Sequence, residues 1–213
     1  SPIYLDENII SQPAAALQLV AKEIFRMSDQ VRDILKKTIE LVKNEEVKSI
    51  DGLKENGEQV ERLGKCITEY LAALFSSGSL TEQQAAQTAS LMCVLSDVER
   101  MGTLSVEMAE CMLERSDRKY KYTPEAMDEL QKSLKVLNKM FCDSLKALQG
   151  DDGIEPGKMM KRKDKLLDLD IKMRKAHIER VNKGKCKASL TAPFTNILHL
   201  IDRMGNSCIN LAD

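Results

Sequence analysis

Apolar residues return at alternating steps of three and four through four long stretches of this 213-residue chain. Leu17, Val20, Ile24, Met27, Val31, Ile34, Thr38 and Leu41 keep one stripe, and Leu91, Val94, Val98, Met101, Ser105, Met108 and Met112 keep a second with one Ser interruption. Met127, Leu130, Leu134, Leu137 and Phe141 begin a third, and Phe194, Ile197, Ile201, Met204, Cys208 and Leu211 form a fourth. That spacing puts each set on one face of an α-helix and belongs to helices packed nearly parallel or antiparallel in bundles. Two further helices are predicted between about residues 46 and 76 and between about 156 and 183. Gly and Pro total only 15 residues, too few for the turns that a hairpin-rich sandwich needs every 8–12 positions. The expectation is an all-α protein of six helices.

Local signals divide the chain at the same places. Ser76-Ser77-Gly78-Ser79 separates the second and third helices, and Thr81 with Gln84 forms a capping-box pattern. Thr123-Pro124 reads as an N-cap followed by Pro at the first helical position. Gly150-Asp151-Asp152-Gly153 with Pro156-Gly157 reads as a loop, and Ser189 or Thr191 as the cap of the last helix.

The chain also repeats itself. Glu99-Arg100-Met101-Gly102 in the third helix returns as Asp202-Arg203-Met204-Gly205 in the sixth, 103 residues later. The match extends to Val94 with Ile197, Leu95 with Leu198, Val106 with Ile209, Ala109 with Ala212 and Glu110 with Asp213. Gln12-Pro13-Ala14 and Thr123-Pro124-Glu125 open the first and fourth helices. Two tandem three-helix bundles follow, over residues 12–118 and 122–213, with residues 1–11 as a linker.

The duplicated Asp/Glu-Arg-hydrophobic-Gly, with Ala109-Glu110 and Ala212-Asp213 behind it, resembles the hallmark of PhoU proteins over essentially the whole chain. A narrower resemblance is to the PhoU-like cytoplasmic tail of bacterial sodium/phosphate cotransporters. It rests on Tyr4-Leu5-Asp6-Glu7 before Pro13-Ala14, on Ile67-Thr68-Glu69-Tyr70-Leu71, and on His177-Ile178-Glu179-Arg180-Val181 before Gly184 and Cys186. The resemblance implies two three-helix bundles and a regulatory, non-enzymatic domain that gates or stabilises a sodium-dependent phosphate transporter. It implies the cytoplasmic side of a bacterial inner membrane, with the transmembrane part of the parent as partner. The alternative is a free-standing PhoU-type phosphate-signalling regulator. A first residue that is Ser, and no run of 18 apolar residues, fit a soluble fragment of a longer protein.

The resemblance also implies iron, zinc or a similar divalent metal held by carboxylates spaced E/D-x-x-x-D on neighbouring helices, where an i, i+4 pair shares one face at about 6 Å. In the first repeat the positions read as Gly57, Glu61, Glu99 and Thr103, so two of the four carboxylates are missing. In the second they are Asp164, Asp168, Asp202 and Asn206. A metal site, if kept, is expected there, against the simpler expectation of surface carboxylates in ordinary ion pairs. Arg100 and Arg203 are expected to pair with acidic residues across the bundle or to touch phosphate, and Gly102 and Gly205 to permit close helix approach.

No overall field marks a nucleic-acid binder, because 32 basic and 33 acidic residues leave a net charge of −1. Residues 158–187 nevertheless carry twelve Lys/Arg against four Asp/Glu, a local +8 that leaves −9 on the remainder. A solvated helix, an anionic membrane surface, an acidic loop of the transporter or another copy of the chain would each suit that charge. The six cysteines form no CxxC and suit free thiols in a reducing compartment, with Cys93, Cys142 and Cys208 at core-type spacing. His177 reads as a surface or interhelix hydrogen-bonding residue. With no Ser/His/Asp or Cys/His constellation, an enzyme is not expected.

Overall fold

The computed structural model describes residues 1–114, 119–151 and 153–213, and the described residues contain helices and no strand. Residue 118, the expected end of the first repeat, and Asp152 of the expected loop lie outside the described residues. Six long helices run as α1 (Pro13–Asn44), α2 (Ile50–Ser76), α3 (Glu82–Leu113), α4 (Pro124–Leu148), α5 (Pro156–Asn182) and α6 (Thr191–Ala212). Short 3-10 turns at Val47–Ser49 and Ala188–Leu190 precede α2 and α6.

Several helix ends are set by the chemistry read in the sequence. Thr81 and Gln84 close a reciprocal capping box on α3, satisfying two amides that no helical carbonyl can reach. Thr123 Oγ1 accepts from the Ala126 amide and Pro124 begins α4. The expected cap of α6 is not formed. Leu190 occupies that position without a side-chain cap bond, and Thr191, one residue inside the helix, bonds to His177 instead.

The predicted stripes become the core. All eight positions from Leu17 to Leu41 are buried on α1, and all six from Phe194 to Leu211 are buried on α6. On α3, Val98, Met101, Ser105, Met108 and Met112 are buried, while Leu91 and Val94 are half-buried nearer its start. Cys93 is exposed, against its core-like spacing, because it lies on the outward side of this less covered first half of α3. Cys142 is half-buried and Cys208 fully buried.

Helices α1, α2 and α3 pack together, as do α4, α5 and α6. The two units then join along α3 against α6 and α1 against α4, so one continuous apolar cluster runs through both. Polar contacts also cross this seam, with Gln131 Nε2 donating to the Ile39 carbonyl at 3.5 Å. The repeat therefore folds as two helical units with a shared core.

Residues 1–11 do not behave as a linker in this structure. Glu23, fully buried on α1, accepts the Tyr4 amide at 3.0 Å and the Ile3 amide, while Arg26 Nε closes on its other oxygen at 2.7 Å. Tyr70 Oη on α2 donates to the Asp6 carbonyl at 2.7 Å. A buried carboxylate needs such partners, and the N-terminal segment supplies two of them.

Candidate functional site

The repeated motif has a buried half and an exposed half. Met101 and Met204 are fully buried, whereas Arg100 and Arg203 are exposed. Neither arginine forms an ion pair with a described residue, so the expected pairing across the bundle is absent. The glycines do mark close approaches. A Cβ on Gly102 would meet Val60 of α2 at 3.7 Å, and one on Gly205 would meet Lys163 Cδ of α5 at 3.6 Å. Val60 and Lys163 are themselves 103 residues apart, so α2 packs on α3 in the same register as α5 on α6.

That register revises the sequence alignment of the carboxylates. Asp164 answers to Glu61, and Asp168 answers to Lys65. The pairing that set Glu61 against Asp168 is one helical turn out. By that register Glu61 and Asp164 hold matching places, as do Glu99 and Asp202, and the charge of Glu61 lies near Glu99.

The two units handle these carboxylates differently. In the second, Lys163 occupies the place of the buried Val60, and its ammonium reaches Asp202 Oδ1 at 2.8 Å and the Asp202 carbonyl at 3.4 Å. Asp168 pairs along its own helix with Lys172 at 3.0 Å, while Asp164 and Asn206 are exposed. In the first unit no lysine among the described residues pairs with Glu99. The Glu99 carboxylate lies where a side chain on Gly64 would stand, its Oε1 only 1.6 Å from the position of that absent Cβ. Burial pushes the Glu99 carboxyl above the ordinary 4.5, and the nearby charge of Glu61 pushes it further.

This geometry does not fit the expected metal at Asp164, Asp168, Asp202 and Asn206. One oxygen of Asp202 is taken by an ammonium and Asp168 is turned to its own helix. Among the described residues no group of three or more His, Cys, Asp or Glu side chains is disposed to hold a metal ion. Three carboxylates on adjacent helices met the spacing rule, but the rule is blind to a lysine one residue before Asp164.

Two grooves escaped the sequence reading. Between α3 and α6 an opening of about 800 Å³ sets Glu107, Glu110 and Glu114 against His199 and Arg203. The 107, 110, 114 spacing on one helix face was the signal for its acidic wall. Between α4 and α5 a cleft of about 380 Å³ is lined by Lys132, Lys135, Lys139, Arg162 and Lys165, with no carboxylate in its lining. Lys132, Lys135 and Lys139 share a face of α4, so the basic surface extends beyond residues 158–187. Arg162 and Arg180 bind α5 to α4 through Asp143 and Glu129.

His177 is buried rather than superficial. It stacks on Phe194 with ring centroids 4.8 Å apart, and its Nε2 shares a hydrogen bond with Thr191 Oγ1 at 2.9 Å. Burial, and then the charge of Arg180, lower its pKa below the ordinary 6.5. It is an interhelix tie between α5 and α6, the second of its two expected roles.

Six helices in two matching three-helix units, closed at each repeat by a motif glycine, define the PhoU-like fold. Residues 24–112, within the first unit, match the family model described as PhoU domain. The chain is 23% identical over 194 residues to the phosphate-specific transport system accessory protein PhoU homolog 1 of Thermotoga maritima, covering 91% of this chain and 81% of that protein. Its fold matches the crystal structure of PhoU from Pseudomonas aeruginosa with a TM-score of 0.84 at 14% identity, over 94% of this chain and 95% of the other. The phosphate transport system regulatory protein PhoU of Streptococcus pneumoniae matches with a TM-score of 0.78 at 15% identity, over 94% and 93%. No described helix is long and apolar enough to cross a membrane.

Proposed function

We propose that this chain is a PhoU-type regulator of phosphate transport that works by binding to transport or signalling proteins. One observation carries the reading: the alignment runs through both helical units and through most of a relative named as an accessory protein of phosphate transport. The match in fold over nearly the full length of two PhoU structures supports it. These comparisons favour the free-standing regulator over the tail of a sodium-dependent cotransporter, since the relatives concerned are themselves PhoU proteins.

On this reading the chain performs no bond-making step, and its exposed charged grooves serve recognition. Deleting the gene in its own host and measuring labelled phosphate uptake tests the proposal. The expected result is uptake that no longer falls when phosphate is plentiful, with and without sodium. Uptake identical to the parent strain at every phosphate level would overturn the reading. A change confined to sodium-dependent uptake would favour the cotransporter tail.

A further inference from the structure

The cleft between α4 and α5 gathers positive charge that the chain leaves unneutralised. Lys132, Lys135 and Lys139 line it from α4 at steps of three and four, and Arg162 and Lys165 line it from α5. Arg162 is held by Asp143, with both side chains 12% exposed, so its charge is already offset. The four lysines are exposed, and none of them forms an ion pair with a described residue. Elsewhere on α5, Lys163, Lys172, Arg174 and Arg180 each hold a carboxylate. The cleft brings four ammonium groups to one recess with no carboxylate left for them.

We propose that this cleft binds a soluble anion bearing a chain of three or more phosphates, laid along α4 between the lysines. Charge and shape both point to it. A single phosphate group carries about −1.5 to −2 at pH 7, which answers two of the four ammonium groups and leaves two opposed. The row from Lys132 to Lys139 runs about 10 Å along the helix axis, a linear track rather than a seat for one tetrahedral anion. Each ammonium offers three rotatable donors on a flexible stem, which suits the many equivalent oxygens of such a chain.

Val136 and Leu169 complete the lining, both half-buried against the core. Their apolar surface holds water away from one side of the recess and so focuses the field of the lysines into it. It also offers an aliphatic seat for a nucleoside base at one end of the phosphate chain. The volume of about 380 Å³ falls within the range of about 300–1,000 Å³ usual for small-molecule sites. The charge lines a recess and not a flat face, which favours an anion free to enter over headgroups fixed in a bilayer plane. The inference stands apart from the reading as a regulator of phosphate transport, since it concerns binding by the isolated chain.

Isothermal titration calorimetry of the full chain with inorganic triphosphate tests this. The expected result is one molecule bound per chain, at least tenfold tighter than inorganic phosphate. The double substitution Lys135→Gln with Lys139→Gln should weaken it at least fivefold with an unchanged helical spectrum. Lys146→Gln and Lys175→Gln each remove an exposed lysine that lies outside the cleft and forms no ion pair with a described residue, and should leave binding within twofold. An equal loss from these two controls would reduce the effect to net charge and overturn the site. No binding of triphosphate, or inorganic phosphate bound as tightly, would overturn the proposal. Titration with ATP separates two sources of the same chemistry: binding tighter than triphosphate supports a nucleoside-bearing chain, and weaker binding supports an inorganic one. Phosphatidylglycerol vesicles that bind the chain through Lys135 and Lys139 while triphosphate does not would make the cleft a headgroup site, and refute the soluble ligand.

Discussion

Replacing the motif glycine by alanine separates the two repeats. At Gly102 the new Cβ would lie 3.4 Å from Val31 Cγ2 and 3.7 Å from Val60 Cγ1, both ordinary contacts. Alanine in a helix interior is better than glycine by about 1 kcal/mol, so Gly102→Ala should stabilise the fold by about 0.5–1 kcal/mol. At Gly205 the new Cβ would lie 2.9 Å from Leu166 Cδ2 and 3.3 Å from Lys163 Nζ. Leu166 is 3% exposed and locked in the core, and Lys163 is held on Asp202. Overpacking of that kind costs about 1–3 kcal/mol. The same helix gain offsets part of it, so Gly205→Ala should destabilise by up to about 2 kcal/mol.

The variants should therefore move in opposite directions, separated by about 1–3 kcal/mol. For a chain of this size that corresponds to melting points roughly 3–10 °C apart. Thermal and urea unfolding followed by circular dichroism would read the difference, and unchanged urea slopes would confirm that stability alone has moved. Gly205→Ala melting at or above the parent while Gly102→Ala melts below it would refute the reasoning. Lys163→Ala in the Gly205→Ala background should recover part of the loss, since it removes one of the two obstructing atoms.

Glu99 gives a dependence on pH. A carboxyl raised in the folded state contributes stability that is present below its ordinary value of 4.5 and lost as pH rises through the raised value. Glu99→Gln should therefore stabilise at pH 7, by no more than about 1 kcal/mol because solvent screens a half-exposed group, and the advantage should vanish by about pH 4; an equal gain at both pH values would contradict the assignment. Among the thiols, burial raises Cys208 far above its ordinary value, so it should resist alkylation until the protein unfolds, whereas exposed Cys93 should react first, as peptide mapping would show. Glu23→Ala removes the buried acceptor of the Ile3 and Tyr4 amides, and should cost about 1–3 kcal/mol while stripping those two amides of protection in hydrogen exchange.

What was legible in the sequence was whatever a helix states about itself. The stripes on α1 and α6 repeat at helical spacing, and the hydroxyl and Pro at Thr123-Pro124 cap α4 by bonds that close within four residues. What was not legible depended on the approach of another element. Lys163 looks like one more cation in a basic run, and only the packing of Gly205 against it shows that it stands in the place of buried Val60. Glu23 looks like an exposed helix glutamate until residues 1–11 turn back onto it. The motif itself divides along the same line. Its Met-Gly half is read correctly because packing between neighbouring helices needs the same shape in both units. Its arginines face outward, and at the acidic position before them one unit left half-buried Glu99 near a second glutamate while the other supplied a lysine to its aspartate. A repeat fixes which positions face one another, and the charge at those positions is free to diverge. The residues as placed do not fit the expected metal for that reason, since the expectation carried the charge over together with the fold.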